Sequence, residues 1–287
     1  MSLRGESIHK DVCCIADLKE LGKQTALSHG PSLRENEAAF DRYKIRPRIL
    51  ANVEKIDTST EVLDPEVNLS FGFSLAASHK LAHPDGELAT SRAAAKFGIC
   101  MGSSSYATYP VEEVAAQGAG YKALFLSVDA PVLGKRLNEY RNEFRIPEDM
   151  EYPDILSSGT DVLDRTDYGN IALLKFCGSR LTPLDPICSP EDVELAIRYK
   201  IDGIVVSNHG GRQLDGVPST LDALRVCAPI ANGRIPITID GGIRRGSDVF
   251  KALALGASYC FLGRIPIWSL AVLFFFPCLF WAPADFA

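Results

Sequence analysis

Nothing in the sequence is spaced like a metal centre or a disulfide framework. Its eight cysteines include no C-x-x-C pair and follow no regular interval, which fits reduced thiols better than zinc ligands or bridges. The five histidines, His9, His29, His79, His83 and His209, also lack ligand spacing, so no metal is expected. Basic residues are outnumbered, 30 Lys and Arg against 36 Asp and Glu, and the net charge of −6 argues against the basic face of a nucleic-acid binder. No apolar h-region follows the polar start MSLRGESIHKDVCCIADL, so no secretory signal is visible. The last residues, Asp285, Phe286 and Ala287, do not form a peroxisomal tripeptide. A cytoplasmic protein is the expectation.

What is present reads as α/β. Apolar or β-branched runs with little alternation, as in strands covered on both faces, fall at 69–76, 98–103, 122–129, 171–175, 202–208, 235–240 and 258–262. Helical patterns lie between them. Residues 85–97 end at Gly98; 189–199 open on Ser189-Pro190-Glu191-Asp192; 246–255 open near Ser247 and stop at Gly256. The expected fold is a TIM (β/α)8-type barrel with about seven of its eight strands. The expected division is an N-terminal segment 1–36, a barrel domain 37–271 and an apolar tail 272–287. Residues 265–283 carry no charge and could span a bilayer by length, but Pro266, Pro277 and Pro283 interrupt them. They read as a barrel element running into an aberrant tail, with a tail anchor as the alternative.

Three segments carry chemistry. SNHGGRQLDG, 207–216, follows an apolar strand and sets His209, Arg212, Gln213 and Asp215 where a barrel places its catalytic loops. Gly210 and Gly211 there would let a ligand approach the backbone. The second segment is ITIDGGIRRGSDVFKALALGA followed by CFLGR. Asp240-Gly241-Gly242 ends one strand, Arg244 and Arg245 precede a helix start, and Gly263-Arg264 ends the next strand. Backbone N–H groups at such a start, with arginines, suit a phosphate. The third, FLSVDAPVLGKR, puts Ser127, Asp129, Lys135 and Arg136 at a strand end, and Asp129 could orient a histidine. In LAHPDGELATSRAAA, His83 reads as structural.

These segments together resemble the FMN-dependent α-hydroxy acid oxidoreductases, the glycolate and lactate oxidase group, with the fungal-type members most similar. The likeness covers residues 12–271. The resemblance implies oxidation of a small (S)-2-hydroxy acid by FMN, with His209 as base and Asp129 as its orienting carboxylate. Arg136 and Arg212 would hold the substrate carboxylate, since two guanidiniums fix its geometry. Tyr106 matches an aromatic of the substrate pocket. Ala76, Ala77, Ser104 and Ser127 would line the isoalloxazine. Asp240 would bond the ribityl hydroxyls, and Gly242, Arg244, Gly263 and Arg264 the phosphate. Ser207, Gly241 and Ile243 complete the cofactor set. The re-oxidant stays open among oxygen, quinone and a cytochrome, and a homo-oligomer is compatible with the family.

Four departures from the family pattern stand out. No tyrosine precedes Tyr43, although relatives carry a substrate-contacting one near the N-terminus. Gly118 to Gly120 stand where relatives have a strand and a helix. The flavin-facing lysine falls on Asp185 by ungapped counting from Ser189, or on Lys175 if 176–187 is an insertion; Lys175 is favoured because it ends an apolar run. Beyond GRIPIWSLA the chain leaves the family pattern. Weak FMN binding and little turnover are therefore expected.

Overall fold

Six of the seven expected strands meet in one parallel sheet, and the seventh place is taken by a different segment. The structure, a computed structural model, describes residues 31–47, 54–62, 66–118, 120–127, 147, 150–156, 184–187 and 189–273. A short antiparallel pair, β1 (Thr60–Glu61) and β2 (Glu66–Val67), precedes the main strands. These are β3 (Phe71–Ala76), β4 (Met101–Ser103), β5 (Leu126–Ser127), β6 (Leu184–Ile187), β7 (Ile204–Val206), β8 (Ile237–Asp240) and β9 (Tyr259–Leu262). Their order is β4-β3-β9-β8-β7-β6-β5, every pairing parallel. The first of these strands lies beside the last, which is how a barrel closes, and the two edges flank the place of the missing strand.

The slot between β5 and β7 is filled by Leu184–Ile187, pairing Leu126 with Leu184 and Leu184 with Ile204. The strand expected at 171–175 lies outside the described residues. Lys175 lies outside the described residues. Asp185, the alternative, pairs with Ser127 at the end of β5.

The helices are α1 (Pro31–Arg42), α2 (Gly86–Phe97), α3 (Val111–Ala115), α4 (Pro153–Leu156), α5 (Pro190–Arg198), α6 (Thr220–Ala231), α7 (Gly246–Ala254) and α8 (Arg264–Leu273). Ser189 and Ser219 cap α5 and α6, each hydroxyl accepting the N–H three residues on, Asp192 and Asp222, at 3.2 Å. The outer core packs α5 to α7 on the sheet, through Val193, Leu221, Leu224, Ile204, Val206, Ile237, Ile239 and Cys260. Inside the sheet, Tyr259 and Phe261 meet Val62 and Val67 of the β1–β2 segment. Tyr259 opens β9, so this hairpin, which the sequence did not signal, covers the end opposite the loops. Among the described residues no helix is long and apolar enough to cross a membrane. The boundary expected at 36/37 falls inside α1.

Candidate active site

Strand alternation decides which side chains reach the loop end of the sheet. On β8, Ile237 and Ile239 belong to the outer core, so Thr238 and Asp240 face inward. On β3, buried Gly72 and Ser74 also face inward. Ser74 Oγ therefore donates to Asp240 Oδ2 at 2.9 Å across β9. Ser207, just past β7, bonds the same carboxyl. Asp240 Oδ1 is shielded from solvent and has no hydrogen-bond partner among the described residues. Burial pushes this carboxyl above the ordinary range, while the Ser207 and Ser74 hydroxyls and the charges of His209 and Arg264 pull it down.

A raised carboxyl costs stability once ionised. Below about pH 4 the acid is protonated folded or unfolded; above that the unfolded chain releases the proton first, so stability falls as pH rises through the folded value. Asp240→Asn removes that cost. Its melting temperature should exceed the parent's by about 2–4 °C at pH 8, with the difference shrinking toward pH 4. A constant difference across that range would count against a strained carboxylate.

Three guanidiniums gather beside it. Arg264 opens α8 and donates from Nη2 to the Gly210 carbonyl at 3.1 Å. Burial, then the charges of Arg212 and Arg244, press it down to about 10. Arg244 donates from Nη2 to Glu37 Oε1 at 2.9 Å and from Nη1 to the Ile243 carbonyl at 2.8 Å. Its Nε is buried without a hydrogen-bond partner among the described residues. Like charges held this close call for an anion. An acceptor oxygen short of a donor and a guanidinium short of an acceptor, on neighbouring loops, fit a polyhydroxylated phosphate such as the ribityl phosphate of FMN.

These loops also serve the fold itself. The N–H groups of Arg244 and Arg245 are not open to a phosphate, because the Asp248 carboxylate accepts both, at 3.1 and 2.9 Å. Asp248 is 1% exposed and closes a capping box at the start of α7. Gly210 and Gly211 make room for the protein's own atoms. A Cβ on Gly211 (φ +71°) would lie 2.8 Å from Leu33 N, and one on Gly210 would lie 3.0 Å from Arg264 Nη1. Gly242, at φ +82°, likewise accommodates α1, since any Cβ there would collide with the Asn36 carbonyl.

Helix α1 is thus the strap of the site. Asn36 and Asn208 exchange amide hydrogen bonds at 2.7 and 2.8 Å, and Asn36 Oδ1 also accepts from Thr220 N. Ser32 Oγ donates to Asp215 at 2.5 Å. Asn208 Oδ1 caps the turn carrying His209, accepting from Gly211 N at 3.0 Å. None of Asn36, Glu37, Ser74 or Asp248 was singled out from the sequence. Ser74 alone had a signal, two residues before Ala76 on one strand face.

His209 follows β7 with φ +56° and donates its N–H to Ser207 Oγ at 3.0 Å. Ser207, His209, Arg212, Asp240 to Arg244, Gly263 and Arg264 therefore come together. Ala76 ends β3 and Ser104 follows β4 at the same end, where exposed Ala77 and Ser127 also lie. Tyr106 stacks edge-on against Tyr152, centroids 5.5 Å apart, and accepts at its carbonyl from Ser78 N. His83 Nδ1 accepts from Asp85 N at 3.0 Å, a local turn bond that fits its structural reading. Asp129 and Arg136 lie outside the described residues.

The FMN-dependent dehydrogenase family model matches residues 24–119, 115–169 and 184–273. Its first break falls where the strand is missing, and its second leaves out 170–183. Oxidase FUB9 of Fusarium oxysporum f. sp. lycopersici is 41% identical over 283 residues, covering 84% of this chain and 73% of that protein. That alignment is longer than the part of the chain it uses, so the relative holds stretches without a counterpart here. Glycolate oxidase 3 of Arabidopsis thaliana is 39% identical, covering 84% and 77%. Among solved structures, mandelate oxidase superposes with a TM-score of 0.79 at 30% identity, over 90% of this chain and 87% of that one. With a barrel sheet, a cluster of arginines and a buried aspartate at its loop end, this chain belongs to the FMN-dependent dehydrogenase family and is an FMN enzyme of the 2-hydroxy acid oxidase type.

Proposed function

We propose that this chain oxidises a small (S)-2-hydroxy acid to the 2-oxo acid. The observation that carries the reading is the meeting of His209 and Arg212 with Asp240, Arg244 and Arg264 on the loops after β7, β8 and β9. Arg212, joined by Arg136, would hold the substrate carboxylate; a fork of N–H donors fixes its plane and so aims the α-carbon. His209 would take the hydroxyl proton, work suited to an imidazole near neutral pH. Asp240 would accept from the ribityl chain, while Arg244 and Arg264 would hold the phosphate. Bound FMN supplies the two-electron acceptor. Oxygen is the proposed re-oxidant, in keeping with relatives named as oxidases. Glycolate and mandelate, from which two of the relatives take their names, share the carboxylate and α-hydroxyl that these residues address.

A second reading, an impaired enzyme that binds FMN weakly, is favoured by the sheet edges at β4 and β5. One experiment addresses both. Protein saturated with FMN and mixed anaerobically with (S)- or (R)-lactate, glycolate or (S)-mandelate should bleach with glycolate and (S)-acids, slowly, and not with the (R)-acid. No bleaching with any of them would sink the substrate class; bleaching within a few turnovers' time would sink the impaired reading.

A further inference from the structure

Arg244 is already shared before any phosphate is considered. One Nη donates to Ile243, the other to Glu37, and the guanidinium carbon sits 4.9 Å over the Trp268 ring. The side chains of Glu37 and Arg244 are 16% and 13% exposed, so water screens the pair little. Glu37 cannot drift away, because α1 is pinned on both sides of it. Asn36 locks onto Asn208, Asp41 pairs with Arg245 at 2.6 Å, and Lys251 Nζ donates to the Phe40 carbonyl at 2.8 Å. The Glu37 charge also reaches Arg264.

We propose that Glu37 sets the affinity of this site for a phosphate dianion by competing with it for Arg244. The inference rests on the FMN reading above and concerns how tightly the phosphate end is held. A fixed carboxylate offsets one of the clustered positive charges of Arg212, Arg244 and Arg264, which stabilises the protein when no dianion is bound. The same carboxylate repels a dianion arriving at those arginines. Glu37→Gln keeps the side chain's length and an acceptor oxygen and removes only the charge. Stability without ligand and affinity for phosphate should then move in opposite directions. Loss of an ordinary packing residue lowers both.

The test compares parent, Glu37→Gln and Glu37→Asp by melting temperature and by quenching of flavin fluorescence. The ligands are FMN, riboflavin (the same flavin without phosphate) and inorganic phosphate. Glu37→Gln should melt about 2–4 °C below the parent without ligand and bind FMN about tenfold more tightly, with riboflavin affinity unchanged. Inorganic phosphate should raise its melting temperature more than the parent's. Glu37→Asp, with its carboxylate drawn back by one methylene, should fall between the two. Weaker or unchanged FMN binding in Glu37→Gln overturns the competition and leaves the flavoprotein reading standing, as does an equal gain for riboflavin. No response to FMN or phosphate in parent and variants alike overturns both.

Discussion

Supplying the absent strand and helix after Gln117, taken from a relative, should raise oxidation of a 2-hydroxy acid by at least about 10²-fold over the 287-residue chain. Flavin occupancy should rise with it. Strand β4 pairs with β3 and strand β5 with β6, and among the described residues neither has a second neighbour. Between them the described residues form one helix, the five-residue α3, too little for the strand and crossover helix of a βα unit. The gap leaves its mark on the β5 side. Tyr121 and Leu124, just before β5, are 41% and 39% exposed. Each buried backbone group left unpaired costs about 1–3 kcal/mol, while a domain has about 5–15 kcal/mol in total. A flavin ring resting on such a wall would be poorly held, and a misplacement of about 1 Å can cost about 10²-fold in rate. The comparison needs flavin absorbance per chain and steady-state turnover of both proteins. A parent chain carrying stoichiometric flavin and turning over within tenfold of the restored one would show that the missing strand is dispensable.

The sequence was most readable where one local pattern determined one element. β7, β8 and β9 are β-branched or aromatic runs that end in glycine-rich loops, and they fold where expected, with Asp240 and Arg264 at their ends. Ser189 before Pro190 announced α5 to the residue. The sequence was least readable where pairing overrules local composition. Leu184–Ile187, with Asp185 and Pro186 inside it, has poor strand composition, yet it occupies the sheet because it reaches both β5 and β7. The roles of α1 were not legible for a different reason. Asn36 meets Asn208 across 172 residues, and Glu37 meets Arg244 across 207, separations over which no spacing rule operates. The same distance hid why Gly211 and Gly242 must lack a side chain, since α1 lies against both.

His209→Gln, made in the strand-restored protein, should lower turnover by about 10²–10⁴-fold, the usual cost of losing a positioned base, and leave FMN affinity within a few-fold. The separation follows from where the residue sits. Its turn is built by neighbours: Asn208 caps it through Gly211 N, and Ser207 Oγ accepts the His209 N–H. The cofactor contacts proposed above belong instead to Asp240, Arg244 and Arg264, so an altered imidazole should leave them in place. Backbone strain has to be separated from chemistry, because residue 209 adopts φ +56°, a left-handed conformation that most side chains disfavour. Asn tolerates that region better than Gln, so His209→Asn serves as the second variant. Both should lose turnover alike if the imidazole is the base. If the loss came from strain, His209→Asn would retain most of the rate and His209→Gln would also melt lower. Measuring kcat, flavin affinity and melting temperature for the pair separates these outcomes, and turnover equal to the parent's in either variant would refute the assignment of His209 as the base.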